Sequence, residues 1–298
     1  MRFVFITDIH AQLSSNVRTG NILSDILAKL SWCVEYANSL DAVLLIGGDV
    51  NNSAVVPYEV TQALAVVFRR AKYTPICIKG NHDQMYRSDA HDIKSALNCL
   101  YQTGVLRSID GQTLDFGDCL VTNEIPIPQV SAKPVLFLYH GFLDISDGKF
   151  SISSELLRAT QVPTLALLGH DHVMYEPLQI GWSTVLRPGS LLRDRRIEAS
   201  YRQPYLYDIT VLDGGFSYNL IEIPARPFTD IFRERSSSES VSEVENEGVD
   251  YDRLVMELQH SFESNSESFE DIVSRIADPQ CASYILDTLH QFKSLKNK

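Results

Sequence analysis

The chain has 298 residues, 44% hydrophobic and 21% charged, with a formal net charge of −12. That composition is ordinary for a globular protein with a sizeable core, and its surplus of acids argues against loose, charge-driven nucleic-acid binding while leaving room for a local phosphate site built on cations. No apolar run approaches the ~18–20 residues of a membrane helix, and the start Met-Arg-Phe-Val-Phe-Ile-Thr-Asp lacks a secretory h-region, so the expected location is cytoplasmic.

Five short apolar runs mark the first 170 residues: Phe3–Ile6, Ala42–Ile46, Pro75–Ile78, Val135–Tyr139 and Leu165–Leu168. Near-continuous apolar content over four or five residues is how a strand buried on both faces reads. Between them lie helical stripes. The first carries Ile22, Ile26, Leu27, Leu30, Val34 and Ala37, the second Val60, Leu64, Val67, Phe68 and Ala71, and the third Ile93, Ala96, Leu97 and Leu100. Alternation of strand and helix predicts an α/β sheet with helices on its faces. From Leu114 onward two hairpins are predicted, one turning at Gly117-Asp118 and one at Asp213-Gly214-Gly215, so antiparallel strands join later.

The five cysteines, Cys33, Cys77, Cys99, Cys119 and Cys281, are scattered and contain no C-x-x-C pair. They read as buried thiols of a reducing compartment, not as a disulfide frame or zinc knuckle. Residues 236–298 carry 13 acids and 5 bases, so the tail holds −8 of the charge. We divide the chain into a main domain over 1–232, an acidic Ser/Glu-rich linker over 233–250 and a helical tail over 251–298.

The chemistry follows the strands. After the five runs come Thr7-Asp8-Ile9-His10, Gly47-Gly48-Asp49, Lys79-Gly80-Asn81-His82-Asp83, His140-Gly141 and Gly169-His170-Asp171-His172. In α/β sheets ligands bind at the carboxyl ends of strands, and glycine there lets backbone approach a ligand closely. Each motif alone is weak; five in order, each behind a buried strand, are not independent accidents. Oxygen and nitrogen donors without cysteine suit Mn²⁺, Fe²⁺ or Zn²⁺. They are too many for one tetrahedral ion and fit two ions bridged by a carboxylate. Asp8 and His10 are two apart, as are His170 and His172, so on a regular strand each pair would face one side.

This series resembles the calcineurin-like metallophosphoesterase superfamily over residues 1–190. The resemblance implies an α/β fold, a four-layer α/β/β/α sandwich, here with a short helical C-terminal tail. It implies one metal held by Asp8, His10, Asp49 and His172, and another by Asp49, Asn81, His140 and His170, with Mn²⁺ the first expectation. Two cations lower the pKa of a shared water and neutralise the phosphate. His82 is the candidate acid for the leaving group, as in the family, and Asp83 is expected to orient its ring.

Val185-Leu186-Arg187-Pro188-Gly189-Ser190, placed after the last histidine pair, resembles the nuclease subunit of the SbcCD complex. That closeness implies DNA as substrate and a tail docked on an SMC-like ATPase subunit. Val50-Asn51-Asn52-Ser53 departs from the nuclease pattern, and residues 191–235 leave little room for a capping domain. A small-substrate phosphodiesterase or phosphatase acting on nucleotides is the alternative, and a metal-bound scaffold recruiting a partner is the non-enzyme one. Arg187, Arg193, Arg195 and Arg196 lie in the densest basic stretch and are candidates for a substrate backbone, against a solvated loop. Two short amphipathic stripes in 251–298 are marginal alone; they dock on the partner ATPase, on the chain's own core, or on a second copy in a homodimer.

Overall fold

The computed structural model describes residues 1–15, 18–85, 93–128, 133–144, 150–193 and 203–232. All belong to the first of two units into which the chain divides, Met1–Arg233. The linker and tail expected over 233–298 lie outside the described residues.

In chain order the elements are β1 (Arg2–Ile6), α1 (Ile22–Ser39), β2 (Val43–Ile46), α2 (Tyr58–Phe68), β3 (Ile76–Cys77), α3 (Ala96–Gln102), β4 (Arg107–Ser108), β5 (Thr113–Asp115), β6 (Leu120–Thr122) and β7 (Val135–His140). There follow β8 (Phe142–Leu143), β9 (Ser151–Ile152), α4 (Ser154–Arg158), β10 (Thr164–Gly169), β11 (Tyr175–Ile180), β12 (Ser183–Arg187), β13 (Tyr205–Leu212), β14 (Gly215–Glu222) and α5 (Phe228–Ile231). Two six-stranded sheets form, in the orders β14-β13-β1-β2-β3-β4 and β11-β12-β10-β7-β6-β5. The central strands pair in parallel, β1 with β2 and β10 with β7. The hairpins predicted from the turns supply antiparallel pairs, β5 with β6 and β13 with β14.

The strands read as continuous apolar runs because each sheet is buried on both faces. Phe3, Phe5, Val43, Leu45 and Ile76 pack in one cluster with Leu136, Leu138, Leu165, Leu167 and Leu186 of the other sheet. The alternate residues Val4, Ile6, Leu44, Ile46 and Cys77 pack with the buried stripes of α1, α2 and α3. On the second sheet Val135, Phe137, Ala166, Leu168 and Val185 pack with Leu157 of α4. The layers are therefore helix, sheet, sheet, helix. The last layer is thin among the described residues, where the short α4 supplies it.

Asn21 caps α1 by accepting the Ser24 amide, and Ser95 caps α3 by accepting that of Asn98. The Ser95 cap corrects one expectation. Ile93 precedes the helix and is 74% exposed, so the third stripe starts at Ala96. A periodic apolar residue placed before the cap lies outside the α-helical turns, in a short 3-10 turn, and has no core to face. Cys99 on the same helix is likewise exposed, against the expectation that the thiols are buried. Among the described residues no helix is long and apolar enough to cross a membrane.

Candidate metal centre

The parallel strands β1, β2, β7 and β10 deliver their carboxyl ends to one place. The chain leaving β1 stays bonded to the chain leaving β2: the Asp8, His10 and Ala11 amides donate to the Gly48, Asp49 and Val50 carbonyls at 3.1, 2.9 and 2.9 Å. This pairing is made by residues in left-handed backbone. Asp8, His10, Asp49 and His170 have φ of 54°, 46°, 51° and 86°. Such a conformation is uncommon for a residue with a Cβ and costs on the order of 1–3 kcal/mol each. The regular-strand geometry expected for Asp8/His10 and His170/His172 does not hold, since β1 ends at Ile6 and β10 at Gly169. Asp8 and His10 converge nonetheless, His10 Nε2 lying 3.7 Å from Asp8 Oδ1. His170 and His172 part company.

His172 Nε2 lies 3.0 Å from His10 Nε2 and 3.6 Å from Asp8 Oδ1. His170 Nδ1 lies instead 2.9 Å from Asn81 Oδ1, which is 3.0 Å from His140 Nε2. Between the two groups sits Asp49, its Oδ2 3.6 Å from His10 Nε2 and 3.2 Å from His140 Nε2. The structure thus brings together all seven residues singled out as ligands. Ligand atoms of Asp8, His10 and His172 lie within 4.8 Å of one another, as do those of Asp49, His140 and His170, and those of His10, Asp49 and His82.

The surroundings suit cation binding. His140 Nδ1 lies 2.7 Å from the Gly47 carbonyl, which assigns it the N–H and directs Nε2 into the centre. Gly48, at φ 97°, permits this approach, because a Cβ there would meet His140 Nδ1 at 2.5 Å. Burial alone would raise Asp8, but the hydrogen bond from His10 and the fields of His140, His172 and His10 outweigh it and hold the carboxyl well below the usual range. Asp49 is likewise lowered: burial opposes, and the charge and hydrogen bond of His140 prevail. His140 is raised to about 9, its burial overcome by Asp49 and Asp8. These oxygens and nitrogens together attract positive charge, whether proton or metal.

The matched family model is that of the calcineurin-like phosphoesterases, over residues 1–197. The chain belongs to this family. It is therefore a metal-dependent phosphoesterase of a dinuclear class, with a set of acids, histidines and an asparagine that fits such a centre. Solved structures are similar at low identity. TT1561 of Thermus thermophilus is 13% identical with a TM-score of 0.43, over 73% of this chain and 97% of that one. A 5'-nucleotidase precursor from the same organism is 13% identical with a TM-score of 0.44, over 75% and 54%. An archaeal phosphodiesterase is 13% identical with a TM-score of 0.35, over 74% and 100%. No curated protein matches the chain.

In this phosphoesterase His82 stands beside the centre, its ring 4.7 Å from that of His10 at near right angles. Its amide donates to Asp49 Oδ1 at 2.9 Å, and its Nδ1 lies 2.9 Å from the Asn52 carbonyl. The ring is held by Asn52, which corrects the expectation for Asp83. The Asp83 carboxylate accepts the amides of Val50, Asn51 and Gly80 at 3.1, 3.0 and 3.2 Å. It ties the loop after β2 to the loop after β3, because three unpaired amides compete for it more strongly than one imidazole. Burial and the neighbouring Asp49 raise Asp83 to about 7 against those three donors.

The arginines separate. Arg193 is buried at 4% exposure, donates to the Arg226 carbonyl and accepts Arg18 on its own carbonyl at 3.0 Å. Buried with these partners, it does not present its guanidinium to a substrate, which corrects the expectation drawn from the basic stretch. Arg187 is half-buried and lies 4.0 Å over the Tyr175 ring. Arg195 and Arg196 lie outside the described residues. Asp171, adjacent to two ligands in sequence, turns to accept the Val173 amide at 3.1 Å.

Several contributors carry no sequence signal, among them the carbonyls of Gly47 and Asn52. Others could have been suspected. Phe142 follows His140-Gly141 and, with Phe150, flanks the His170 ring at centroid distances of 4.5 and 5.7 Å. Thr7, directly before Asp8, donates to its Oδ2 at 2.6 Å. Lys29 interrupts the apolar stripe of α1 between Ile26 and Cys33 and is buried with it.

Proposed function

We propose that this chain is a two-metal phosphodiesterase, with Asp8, His10, Asp49 and His172 holding one ion and Asp49, Asn81, His140 and His170 the other. The observation that carries the reading is Asp49 Oδ2, which faces His10 Nε2 at 3.6 Å and His140 Nε2 at 3.2 Å and so joins the two groups. Bound divalent ions, Mn²⁺ first among the candidates, would lower the pKa of a water and neutralise phosphate charge there. The residues supply the rest. His140 is fixed in the ligating tautomer by Gly47. His82, with Nδ1–H on the Asn52 carbonyl, carries the transferable proton on Nε2 and gives it to the leaving oxygen.

For substrate we favour DNA, on the likeness of Pro188-Gly189-Ser190 to the SbcCD-type nuclease. With it goes the proposal that the segment 251–298 docks on an SMC-like ATPase. The test is calorimetric titration of chelator-stripped protein with Mn²⁺, followed by assays on duplex DNA, single-stranded DNA, bis-p-nitrophenyl phosphate and a nucleoside monophosphate. Two Mn²⁺ steps and chelator-sensitive cleavage of the diesters are expected. A single step, or activity indifferent to chelator, sinks the dinuclear reading. Cleavage of the monophosphate but not DNA transfers the substrate to small nucleotides, and two steps without any hydrolysis leave a scaffold.

A further inference from the structure

Beyond β12 the chain turns through Pro188-Gly189, with Gly189 at φ 78°, and runs as a short strap beside the backbone leaving β1. Its bonds reach one group of the centre. The Ser190 amide donates to the His172 carbonyl at 3.1 Å, and Ser190 Oγ to the Asp8 carbonyl at 3.0 Å. The Leu191 amide donates to Thr7 and the Leu192 amide to Asp8, at 3.2 and 3.3 Å. Asp8 holds its left-handed conformation under these bonds; relaxed to an ordinary φ, its carboxylate would swing away from His10 and His172. The strap is itself tied from behind. Lys29 of α1, 4% exposed, donates its Nζ to the Leu191 carbonyl.

A buried amine near Arg18 and Arg193 is a costly way to fill space that leucine or methionine would fill without desolvating a charge. What lysine adds is a directed bond to the strap. We propose that Lys29 is a positioning residue for the Asp8–His10–His172 half of the centre, acting through the Ser190–Leu192 strap. The proposal rests on the dinuclear reading above and adds to it a control of one half by α1.

Removal of a group that orients a ligand typically costs ~10–100-fold in metal affinity. The experiment is Mn²⁺ titration of stripped wild type, Lys29→Met and Ser190→Ala, with His172→Ala and Asn81→Ala as references that assign the two steps. Lys29→Met and Ser190→Ala should each weaken the step that His172→Ala abolishes, by ~10–100-fold, while the step abolished by Asn81→Ala stays little changed. In metal-free protein the Leu191 and Leu192 amides should exchange hydrogen faster in Lys29→Met. Lys29→Gln, shorter but polar, is read the same way if the methionine variant does not fold. Equal weakening of both steps makes Lys29 a general stabiliser and overturns the proposal, as does an unchanged first step with unchanged exchange. Wild type lacking two steps is the separate failure, that of the dinuclear reading, and removes the proposal with it.

Discussion

Gly80→Ala should dismantle the centre without removing a ligand. A Cβ on Gly80 would meet Asp49 Oδ1 and the Asp49 amide nitrogen well inside the 3.0 Å that real Cβ atoms respect, and Asp49 Cγ at 2.7 Å. To restore ordinary contact at 3.4 Å the carboxylate carbon must retreat from 2.7 Å, about 0.7 Å, and Oδ1, which lies closer still, must retreat further. Backbone is among the atoms struck, so no rotamer change relieves it. Overpacking costs typically ~1–3 kcal/mol, and a clash with backbone belongs at or above the top of that range. The retreat also loosens Asp49 Oδ1 from the His82 amide, now at 2.9 Å, and moves Oδ2 from its place between His10 and His140. Urea unfolding in chelator should therefore give a midpoint loss worth ~3 kcal/mol, and Mn²⁺ titration should lose the site-to-site linkage, with both steps weakened. Unchanged Mn²⁺ affinities alongside wild-type stability would show that the loop after β3 does not constrain Asp49, and the reasoning would fail.

Three further outcomes are expected. His82→Ala should keep its Mn²⁺ steps yet lose ~10²–10⁴ in rate on alkyl phosphodiesters, and less on p-nitrophenyl esters that need no proton; equal losses on both would remove the acid role. Asp83→Asn should lower stability in chelator by ~1–3 kcal/mol, since an amide cannot accept from Val50, Asn51 and Gly80 together; an unaltered urea midpoint would argue against the loop tie. Lys29 is lowered to about 7 by burial and by Arg193 and Arg18, so the unfolded chain binds more protons between about pH 7 and 10.5, and this group makes stability rise with pH there, by at most about 1.4 kcal/mol per unit. His140, raised from 6.5 to about 9, works the opposite way between those values, so the signature is the difference: Lys29→Met should lose the rise, and parallel stability curves for variant and wild type would refute it.

The sandwich was legible because burial on both faces leaves a mark in the sequence. Phe3–Ile6, Ala42–Ile46 and Leu165–Leu168 are apolar at every position, since one alternate set meets the other sheet and the other set meets helices. The seven candidate ligands were legible for a related reason: strand ends in an α/β sheet are where a chain can gather side chains, and each motif sits at one. Ile93 misled because periodicity does not say where the first hydrogen-bonded turn begins, whereas Ser95 did. Asp83 misled because proximity in sequence to His82 says nothing of competing donors from another loop.

Composition, the strand and helix periods and the identity of the donor atoms could be read from the residues alone, because all of them are local properties. The division of His170 and His172 between two groups, the left-handed turns at Asp8, His10 and Asp49, the burial of Arg193 and the tie from Lys29 to Leu191 emerge only in three dimensions. Each depends on a partner at least 33 residues away — Asn81 for His170, Gly48 for Asp8, Arg226 for Arg193 — and mostly on backbone groups that every residue carries alike. Such partners are brought together by the packing of segments far apart in the chain, and a backbone carbonyl or amide leaves no mark in the identity of the residue that carries it.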